Sequence, residues 1–288
     1  MTSTSDTIKI IECPRDAMQG IHDFIDTDIK AEYINQLLKV GYDTIDFGSF
    51  VSPKAIPQMR DTAEVLAKLD LDKTNSKLLA IIANARGAED AVSFDEITYL
   101  GYPFSISETF QLRNTNATIE ESISRVEEIQ NICLKHNKKI VIYISMGFGN
   151  PYGDRWSVEI CQQWVDRLAD MDVKIMALSD TIGIATPDSI SYLFKYLIPP
   201  YPDVEFGAHL HTQPHNWLPK IDAAYKSGCR RFDSAIKGYG GCPMAKDELT
   251  GNMATENLIQ YLENEHIDTH INKIAFNKAM KLAQKVFL

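Results

Sequence analysis

Residues 140–145 read Ile-Val-Ile-Tyr-Ile-Ser. The run is short, apolar and rich in β-branched residues, and these properties predict a buried strand. Further along the chain, Ile160, Trp164 and Leu168 recur at helical spacing. A strand followed by a helix with one apolar face is the repeating unit of an α/β protein.

The same unit recurs along the chain without a Pro/Ser/Gly-rich linker or a low-complexity tract. Strand-like runs span residues 8–13, 44–47, 78–83, 99–104, 140–145, 174–178, 204–211 and 231–236. Eight such units within 288 residues predict a (β/α)8 TIM barrel, although a doubly wound open sheet would give a similar pattern. We therefore expect a single catalytic domain over residues 1–288, with an additional C-terminal helix at about 271–287 packed outside the barrel.

Charge and hydropathy disfavour several classes of function. The net charge is −10, from 29 basic and 39 acidic side chains, and no basic patch is evident, so neither nucleic acid nor a membrane surface is an expected partner. The longest apolar stretches, at 78–83 and 140–144, are far shorter than the roughly 18 residues of a membrane span. The N-terminus lacks an apolar signal segment. Five scattered cysteines with no CxxC pair fit a reducing cytoplasm.

In a barrel, functional residues gather after the C-terminal ends of the strands. Polar and charged residues do follow the predicted strands, namely Arg15, Asp16, Asp46, Asn84, Arg86, Ser107, Glu108, Ser145, Ser179, Asp180, His209, His211 and Lys237. Their residue types, rather than their polarity alone, indicate catalysis or ligand binding.

The motif His209-Leu210-His211 is the most informative of these. Side chains two apart on a strand point to one face, so both imidazoles would enter the barrel mouth together. They could bind a metal ion, or they could be a hydrogen-bonded pair. Asp16 and Asn252 are candidate oxygen ligands. Such a set favours Mg²⁺ or Mn²⁺ over structural zinc, and two histidines with one carboxylate could also hold Fe(II).

The glycine-rich segment 238–243 predicts a flap over the barrel mouth. Cys242 lies within it, either as an exposed thiol that acts as acid or base or as an inert loop cysteine. Lys237, which follows the eighth strand, would suit a Schiff-base aldolase, but that chemistry does not need paired histidines.

Seven motifs in order give the chain a family resemblance. They are Glu12-Cys13-Pro14-Arg15-Asp16 with Gln19, residues 49–54 with 57–59, Ser107-Glu108 with Asn114 and 119–122, Asp180-Thr181-Ile182-Gly183 with Thr186-Pro187, His209-Leu210-His211, Gly240-Gly241-Cys242-Pro243, and residues 251–256. Together they resemble hydroxymethylglutaryl-CoA lyase, within the wider group of metal-dependent barrel lyases and acyl-CoA condensing synthases.

The resemblance implies a small-molecule acyl-CoA substrate and a retro-Claisen cleavage of 3-hydroxy-3-methylglutaryl-CoA to acetoacetate and acetyl-CoA, a step of leucine degradation and ketone-body formation. It implies four ligands to a divalent cation, Mg²⁺ or Mn²⁺: Asp16, His209, His211 and Asn252. It also implies that Arg15 and Asp180 serve the reacting centre, and that Cys242 is the flap thiol.

We assign further roles on this basis. Arg15 would stabilise the enolate, Asp16 or a bound water would accept the hydroxyl proton, and His209 or Cys242 would protonate the enolate. Asp46 and Asp180 would orient Arg15 and the ligands. We expect a homodimer. The alternatives are a lyase or condensing enzyme for a different 3-hydroxyacyl-CoA or 2-oxo acid, and a barrel that binds acyl-CoA without catalysis.

Several positions depart from the family pattern. Asp46 stands where the lyases carry glutamate, Thr212 replaces an aspartate, residues 20–27 lack the usual Asn-Glu-Lys, and the segment from Cys242 to Asn252 is one residue longer. Asp46 is one methylene shorter than glutamate, so we expect it to fall short of Arg15 unless the backbone or a water compensates. If the protein is an ordinary hydroxymethylglutaryl-CoA lyase, Asp46→Glu preserves or raises turnover of that substrate. If the shorter side chain makes room for a bulkier acyl group, Asp46→Glu lowers the rate with the true substrate and leaves metal binding unchanged.

Overall fold

A closed barrel of eight parallel strands forms the centre of the molecule. The computed structural model describes residues 7–241 and 250–287. The strands are β1 (Lys9–Glu12), β2 (Thr44–Ser49), β3 (Lys77–Ile81), β4 (Ile97–Ser105), β5 (Lys139–Ser145), β6 (Ile175–Asp180), β7 (Glu205–Thr212) and β8 (Arg231–Ser234). Each pairs in parallel with its sequence neighbour, and β8 pairs with β1 to close the ring. The predicted TIM barrel is confirmed.

Helices surround this barrel. They are α1 (Pro14–Gln19), α2 (Thr27–Leu37), α3 (Thr62–Leu66), α4 (Ala85–Val92), α5 (Glu108–Thr115), α6 (Ile119–Lys135), α7 (Val158–Asp170), α8 (Pro187–Leu197), α9 (Trp217–Lys226), α10 (Thr255–Asn264) and α11 (Lys273–Phe287). Several begin at a side-chain cap. Thr118 and Glu121 form a capping box at α6, and Ser157 caps α7. No helix in the described part of the chain is long and apolar enough to cross a membrane.

The apolar core has two parts. The larger part lies between the strands and the helices. The smaller part fills the barrel interior and consists of Leu79, Ile81, Tyr99, Val141, Tyr143, Ile175 and Ala177. Gly101 makes this interior packing possible, because a Cβ there would lie 2.5 Å from Ile81 Cδ1. The packed interior supports the polar residues at the C-terminal ends of the strands.

The C-terminal helix α11 packs against α2 on the outside of the barrel. The ring of Phe287 contacts the edge of Tyr33 at 6.0 Å between centroids. Phe287 also stacks on Tyr239 at 4.4 Å, within the segment that follows β8. The end of this outer helix therefore buttresses the backbone that leads into the glycine-rich segment.

Two short elements that carry site residues were not predicted from the sequence. Arg15 and Asp16 do not lie in a loop but in the first turn of α1, which begins at Pro14 directly after β1. Asn252 does not lie in a loop either, because Gly251–Asn252 forms a short strand, β9, that pairs antiparallel with β7 opposite His211. A six-residue helix and a two-residue strand are too short to show a periodicity in sequence.

Candidate active site

Three potential metal ligands converge at the C-terminal mouth of the barrel. One ligand atom each from Asp16, His209 and His211 lie within 4.8 Å of one another. The histidines come from one face of β7, as their spacing predicts, and Asp16 is brought to them by the first turn of α1. The strand and the short helix thus place a carboxylate against two imidazoles.

His209 is held by a residue that the sequence analysis did not single out. Its Nδ1 lies 3.1 Å from Asp233 Oδ2, and Asp233 faces it across the β7–β8 pairing. Burial lowers the pKa of His209, but the hydrogen bond and charge of Asp233 outweigh burial and leave the pKa raised. An Nδ1–H that donates to a carboxylate leaves Nε2 as the acceptor, which is the arrangement of a metal-bound histidine.

His211 has the opposite electrostatic environment. Its side chain is 3% exposed, and its buried Nδ1 has no hydrogen-bond partner among the described residues. Burial and the neighbouring His209 lower its pKa to about 4, so the ring is neutral near pH 7. A neutral imidazole with an unpartnered buried nitrogen fits a cation ligand.

Asp16 and Asn252 lie together at the same place. Burial raises the pKa of Asp16, but Arg15 and His209 outweigh burial and lower it below its ordinary value, so the carboxyl is ionised. Asn252 Nδ2 donates to Asp16 Oδ2 at 2.7 Å and to the Tyr239 carbonyl at 2.9 Å. The amide nitrogen, rather than the oxygen, faces Asp16 here, so a ligand role for Asn252 remains a prediction.

A second cluster, formed by Cys13, His209 and Asp233, also brings three ligand atoms together. Burial, followed by the charge of Asp233, raises the pKa of the Cys13 thiol well above its ordinary value. A thiol that stays protonated is a poor ligand. The donor set of Asp16, His209 and His211 therefore fits a divalent cation better.

Arg15 is fixed on several sides by buried partners. Its Nε lies 3.0 and 3.2 Å from the two oxygens of Asp46, and Nη2 lies 2.5 Å from Asp46 Oδ2. Nη1 donates to Asp16 Oδ1 at 3.1 Å and to Gln19 Oε1 at 2.8 Å. Burial raises the pKa of Asp46 to about 6 against the lowering effect of Arg15, which leaves Asp46 mostly ionised at pH 7.

The shorter carboxylate of Asp46 therefore reaches Arg15 directly, and the expected shortfall does not occur. Asp46 lies within β2 rather than at its end, and the register of β2 against β3 shifts between Asp46 and Gly48. A backbone irregularity next to a site residue is a common way to re-aim its side chain.

Asp180, the last residue of β6, is not in contact with Arg15. Its Oδ2 accepts from Lys220 Nζ at 2.7 Å, and its Oδ1 accepts from the backbone N–H of Ala185 at 3.0 Å. Lys220 also donates to the His211 carbonyl at 2.9 Å. Asp180 is thus linked to the His211 backbone on β7 through Lys220, a buried lysine of α9 that was not predicted from the sequence.

Two of the regions that depart from the family pattern, Thr212 and residues 20–27, have defined partners. The Thr212 hydroxyl lies 3.5 Å from the Asn252 carbonyl. The segment 20–27 is bound by Gln58, whose amide donates to the Ile21 and Asp23 carbonyls and accepts from the Ile25 N–H. Cys242 and the longer part of its segment lie outside the described residues.

These residues open into a cavity of about 180 Å³. Its polar side contains Arg15, Asp16, Gln19, His209 and His211, and its other walls include Val51, Ile56, Phe110, Asn114, Tyr143 and Ser179. Lys237, the candidate Schiff-base lysine, is not among the described residues that line it. The geometry therefore favours metal and arginine chemistry over a Schiff base.

The wall formed by α5 is anchored by the segment after β5. Asp154 accepts from the Thr109 N–H at 2.9 Å and from the Thr109 hydroxyl at 2.9 Å, and it also binds the Ser107 hydroxyl. The ring of Phe110 stacks on Tyr152 at 6.4 Å. These contacts fix the start of α5, which carries Phe110 and Asn114 to the cavity.

Comparison with known proteins agrees with this geometry. The HMGL-like family model matches residues 7–286. The cytoplasmic 3-hydroxy-3-methylglutaryl-CoA lyase of Rattus norvegicus is 33% identical over 268 residues, which cover 92% of this chain and 77% of the relative. The hydroxymethylglutaryl-CoA lyase of Bacillus subtilis is 32% identical over 258 residues, which cover 90% of this chain and 85% of the relative.

The solved structures that are similar to this chain include HMG-CoA lyases. The HMG-CoA lyase of Acinetobacter baumannii, in complex with coenzyme A and 3-methylmalate, is similar with a TM-score of 0.90 and 30% identity, and the match covers 100% of this chain and 93% of that one. The HMG-CoA lyase of Bacillus subtilis gives a TM-score of 0.91 and 30% identity over 97% of this chain and 93% of that one. With a family model that matches nearly its whole length, this chain belongs to the HMGL-like family.

Proposed function

We propose that this protein is a divalent-metal-dependent carbon–carbon lyase that cleaves 3-hydroxy-3-methylglutaryl-CoA to acetoacetate and acetyl-CoA. The observation that carries the proposal is the convergence of Asp16, His209 and His211 beside a buried Arg15. Relatives named for this reaction match the chain over most of its length, and the family resemblance of the sequence motifs points to the same substrate.

Asp16, His209 and His211, with Asn252, would hold the cation. When bound, the cation supplies Lewis-acid charge that acidifies the substrate hydroxyl and orients it. Mg²⁺ and Mn²⁺ both suit a carboxylate, an amide and open positions, and the pair of imidazoles favours Mn²⁺.

Arg15 is preorganised to stabilise negative charge. A guanidinium has five N–H donors. One on Nε and one on Nη2 go to Asp46, and two on Nη1 go to Asp16 and Gln19, which makes four. The remaining Nη2 donor is not taken up by a described residue, and Arg15 lines the cavity. A fixed cation with a spare donor suits the enolate oxygen that forms on the thioester.

The reaction also requires two proton transfers. The tertiary hydroxyl gives its proton to Asp16 or a bound water, the carbon–carbon bond breaks, and its electron pair becomes the enolate of the thioester. A proton from His209 or Cys242 then converts the enolate to acetyl-CoA. His209 can donate a proton only while its Nε2 is free of the cation, and in that state the hydrogen bond and charge of Asp233 raise the pKa of the ring against burial. Asp180 acts on the His211 backbone through Lys220.

The size of the cavity indicates which part of the substrate it holds. At about 180 Å³, it is smaller than the roughly 300 Å³ of a typical small-molecule pocket. It suits the branched acyl group and leaves the coenzyme A portion outside. A wider cleft of about 750 Å³ adjoins it at Val51 and carries Lys54, Arg60 and Arg86.

We further propose that the chain works as one barrel domain in the cytoplasm and as a homodimer. Cys13, Cys133, Cys161 and Cys229 are buried free thiols, which suits a reducing compartment. The similar lyase of Rattus norvegicus is a cytoplasmic enzyme by name. Sedimentation equilibrium tests the dimer.

A panel of acyl-CoA esters, assayed with Mg²⁺, with Mn²⁺ and after chelation, tests the function. We expect cleavage of 3-hydroxy-3-methylglutaryl-CoA that is lost on chelation and restored by either metal. Cleavage of a different 3-hydroxyacyl-CoA alone would reassign the substrate. Tight binding without turnover of any ester would make the protein a binding barrel.

A further inference from the structure

Arg231 is a fully buried cation in the interior of the barrel, below the proposed metal ligands. It begins β8, is 0% exposed, and its guanidinium carbon lies 5.7 Å from the centre of the Tyr99 ring in the interior cluster. Nη1 lies 3.1 Å from Oε1 of Glu205, at the opposite end of the barrel from the site. A buried guanidinium without full pairing is costly, so its remaining contacts need an explanation.

The chain leaves room for this side chain. Gly207 pairs with Arg231, two residues before the pairing of His209 with Asp233. A Cβ at Gly207 would lie 3.1 Å from Arg231 Cδ and 3.2 Å from Cγ. Because residues two apart share a face of a strand, Arg231 lies one layer below His209 and Asp233.

Polar atoms from three side chains in this region have no partner among the described residues. They are Nε and Nη2 of Arg231, the hydroxyl of Tyr143 and Oδ1 of Asp233. All three side chains are more than nine-tenths buried. The Tyr143 ring packs edge-on against His209 at 5.6 Å, and the charges of both Asp233 and Arg231 act on its hydroxyl. The unpartnered atoms therefore belong to neighbouring side chains beneath His209.

Their hydrogen-bonding types are complementary. Arg231 offers N–H donors, Asp233 offers an acceptor, and the Tyr143 hydroxyl can do both. Buried polar groups nearly always find partners, and an ordered water usually makes about three hydrogen bonds to such groups.

We propose that Arg231, Tyr143 and Asp233 bind an ordered internal water, through which Arg231 is a positioning residue of the metal site. The proposal rests on the proposed function in assuming that His209 binds the cation. Asp233 holds His209 Nδ1 through Oδ2. The water ties Oδ1 to Arg231, which fixes the carboxylate and therefore the orientation of the His209 ring.

The test compares Mn²⁺ affinity, by electron paramagnetic resonance titration, in the full-length wild type and three variants. Arg231→Met removes the donors and should raise the dissociation constant for Mn²⁺ about 10-fold, the lower end for loss of a residue that supports a ligand. Arg231→Lys restores one cationic donor and should recover the affinity to within about 3-fold. Glu205→Gln is the matched control, because it removes the negative charge that faces Arg231 on the far side and should change thermal stability but not Mn²⁺ affinity.

Several outcomes would overturn the proposal: wild-type affinity in Arg231→Met, an equal loss in Glu205→Gln, or no recovery in Arg231→Lys. If Arg231→Met does not fold, Tyr143→Phe replaces it, with an expected loss of about 3-fold, and unchanged affinity there counts against the proposal. A wild type that does not bind Mn²⁺ refutes the proposed metal site instead. In that case a crystal structure decides, since water density within hydrogen-bonding distance of Arg231 Nη2 and Asp233 Oδ1 supports the internal site and its absence refutes it.

Discussion

Lengthening Asp46 by one methylene is the sharpest test of the site geometry. In the family pattern a glutamate stands here, and on sequence alone Asp46→Glu is expected to preserve or raise turnover if the protein is an ordinary hydroxymethylglutaryl-CoA lyase. The structure reverses that expectation, because Asp46 already touches Arg15 Nε at 3.0 Å and Nη2 at 2.5 Å. A carbon–carbon bond adds about 1.5 Å. A direct N···O contact of about 2.7–3.2 Å leaves no space for that extension.

In the Asp46→Glu variant, either Arg15 is displaced or the glutamate adopts a rotamer that points away from it. Asp46 is 1% exposed, so the added methylene also crowds a packed region at a cost of about 1–3 kcal/mol. A displacement of about 1 Å at a catalytic group costs on the order of 100-fold in rate. We therefore expect Asp46→Glu to lower kcat about 100-fold, while Mn²⁺ affinity changes by less than about 3-fold because Asp46 is not a proposed ligand.

The assay is acetoacetate release from 3-hydroxy-3-methylglutaryl-CoA at saturating Mn²⁺. Asp61→Glu is the matched control: Asp61 is 4% exposed and pairs with the buried Lys30 at 2.7 Å, and it does not line the described cavity. It should lose stability but keep kcat. Turnover in Asp46→Glu equal to or above the wild type would refute the geometric reasoning.

Three further predictions concern the metal, the flap and a buried acid. His211→Ala should weaken Mn²⁺ binding more than about 100-fold, beyond the range for supporting residues, and full occupancy in a titration would remove His211 from the ligands. Iodoacetamide should label Cys242 first and abolish most activity, with protection by substrate; activity lost through a label mapped to another cysteine would move the role there. Burial raises the pKa of Glu12 from 4.5 to about 8. The contribution of neutral Glu12 to the free energy of unfolding should therefore be fully present below pH 4.5. It should be lost as the pH rises towards 8, by up to about 1.4 kcal/mol per pH unit. Urea unfolding at pH 6 and 8 should show this loss in the wild type and in the control Glu127→Gln but not in Glu12→Gln, and equal losses in all three would contradict the assignment.

The repeating pattern of the barrel was predictable because it depends on local chemistry. Most strands have a short apolar run, which is β-branched at 140–145, and the large helices have an apolar face, as at 158–170. The short elements were not predictable. The six residues of α1 and the two residues of β9 carry no periodic signal, and their conformations depend on closure of β1 onto β8 and on pairing with β7.

The same distinction applies to the site. His209 and His211 were identifiable because two imidazoles share one face of a strand, and Asp16 because it follows another strand end. Asp233 and Lys220 were missed, since each is defined by a partner distant in sequence: Asp233 meets His209 24 residues away, and Lys220 meets Asp180 40 residues away. The local signal for each is an ionisable side chain next to an apolar one: Asp233 follows Phe232 in β8, and Lys220 precedes Ile221 in α9.

The two histidines on β7 also show how a barrel can give identical residues different chemistry. Their rings lie 5.5 Å apart and are inclined by 57°. His209 has Nδ1 engaged by Asp233, which leaves Nε2 for a cation, whereas His211 has its Nδ1 unpartnered among the described residues. Asp233 raises the pKa of the first ring against burial, and burial lowers that of the second to about 4. His209 can therefore donate a proton to the enolate only while its Nε2 is free of the cation, whereas the neutral ring of His211 suits the proposed ligand role alone.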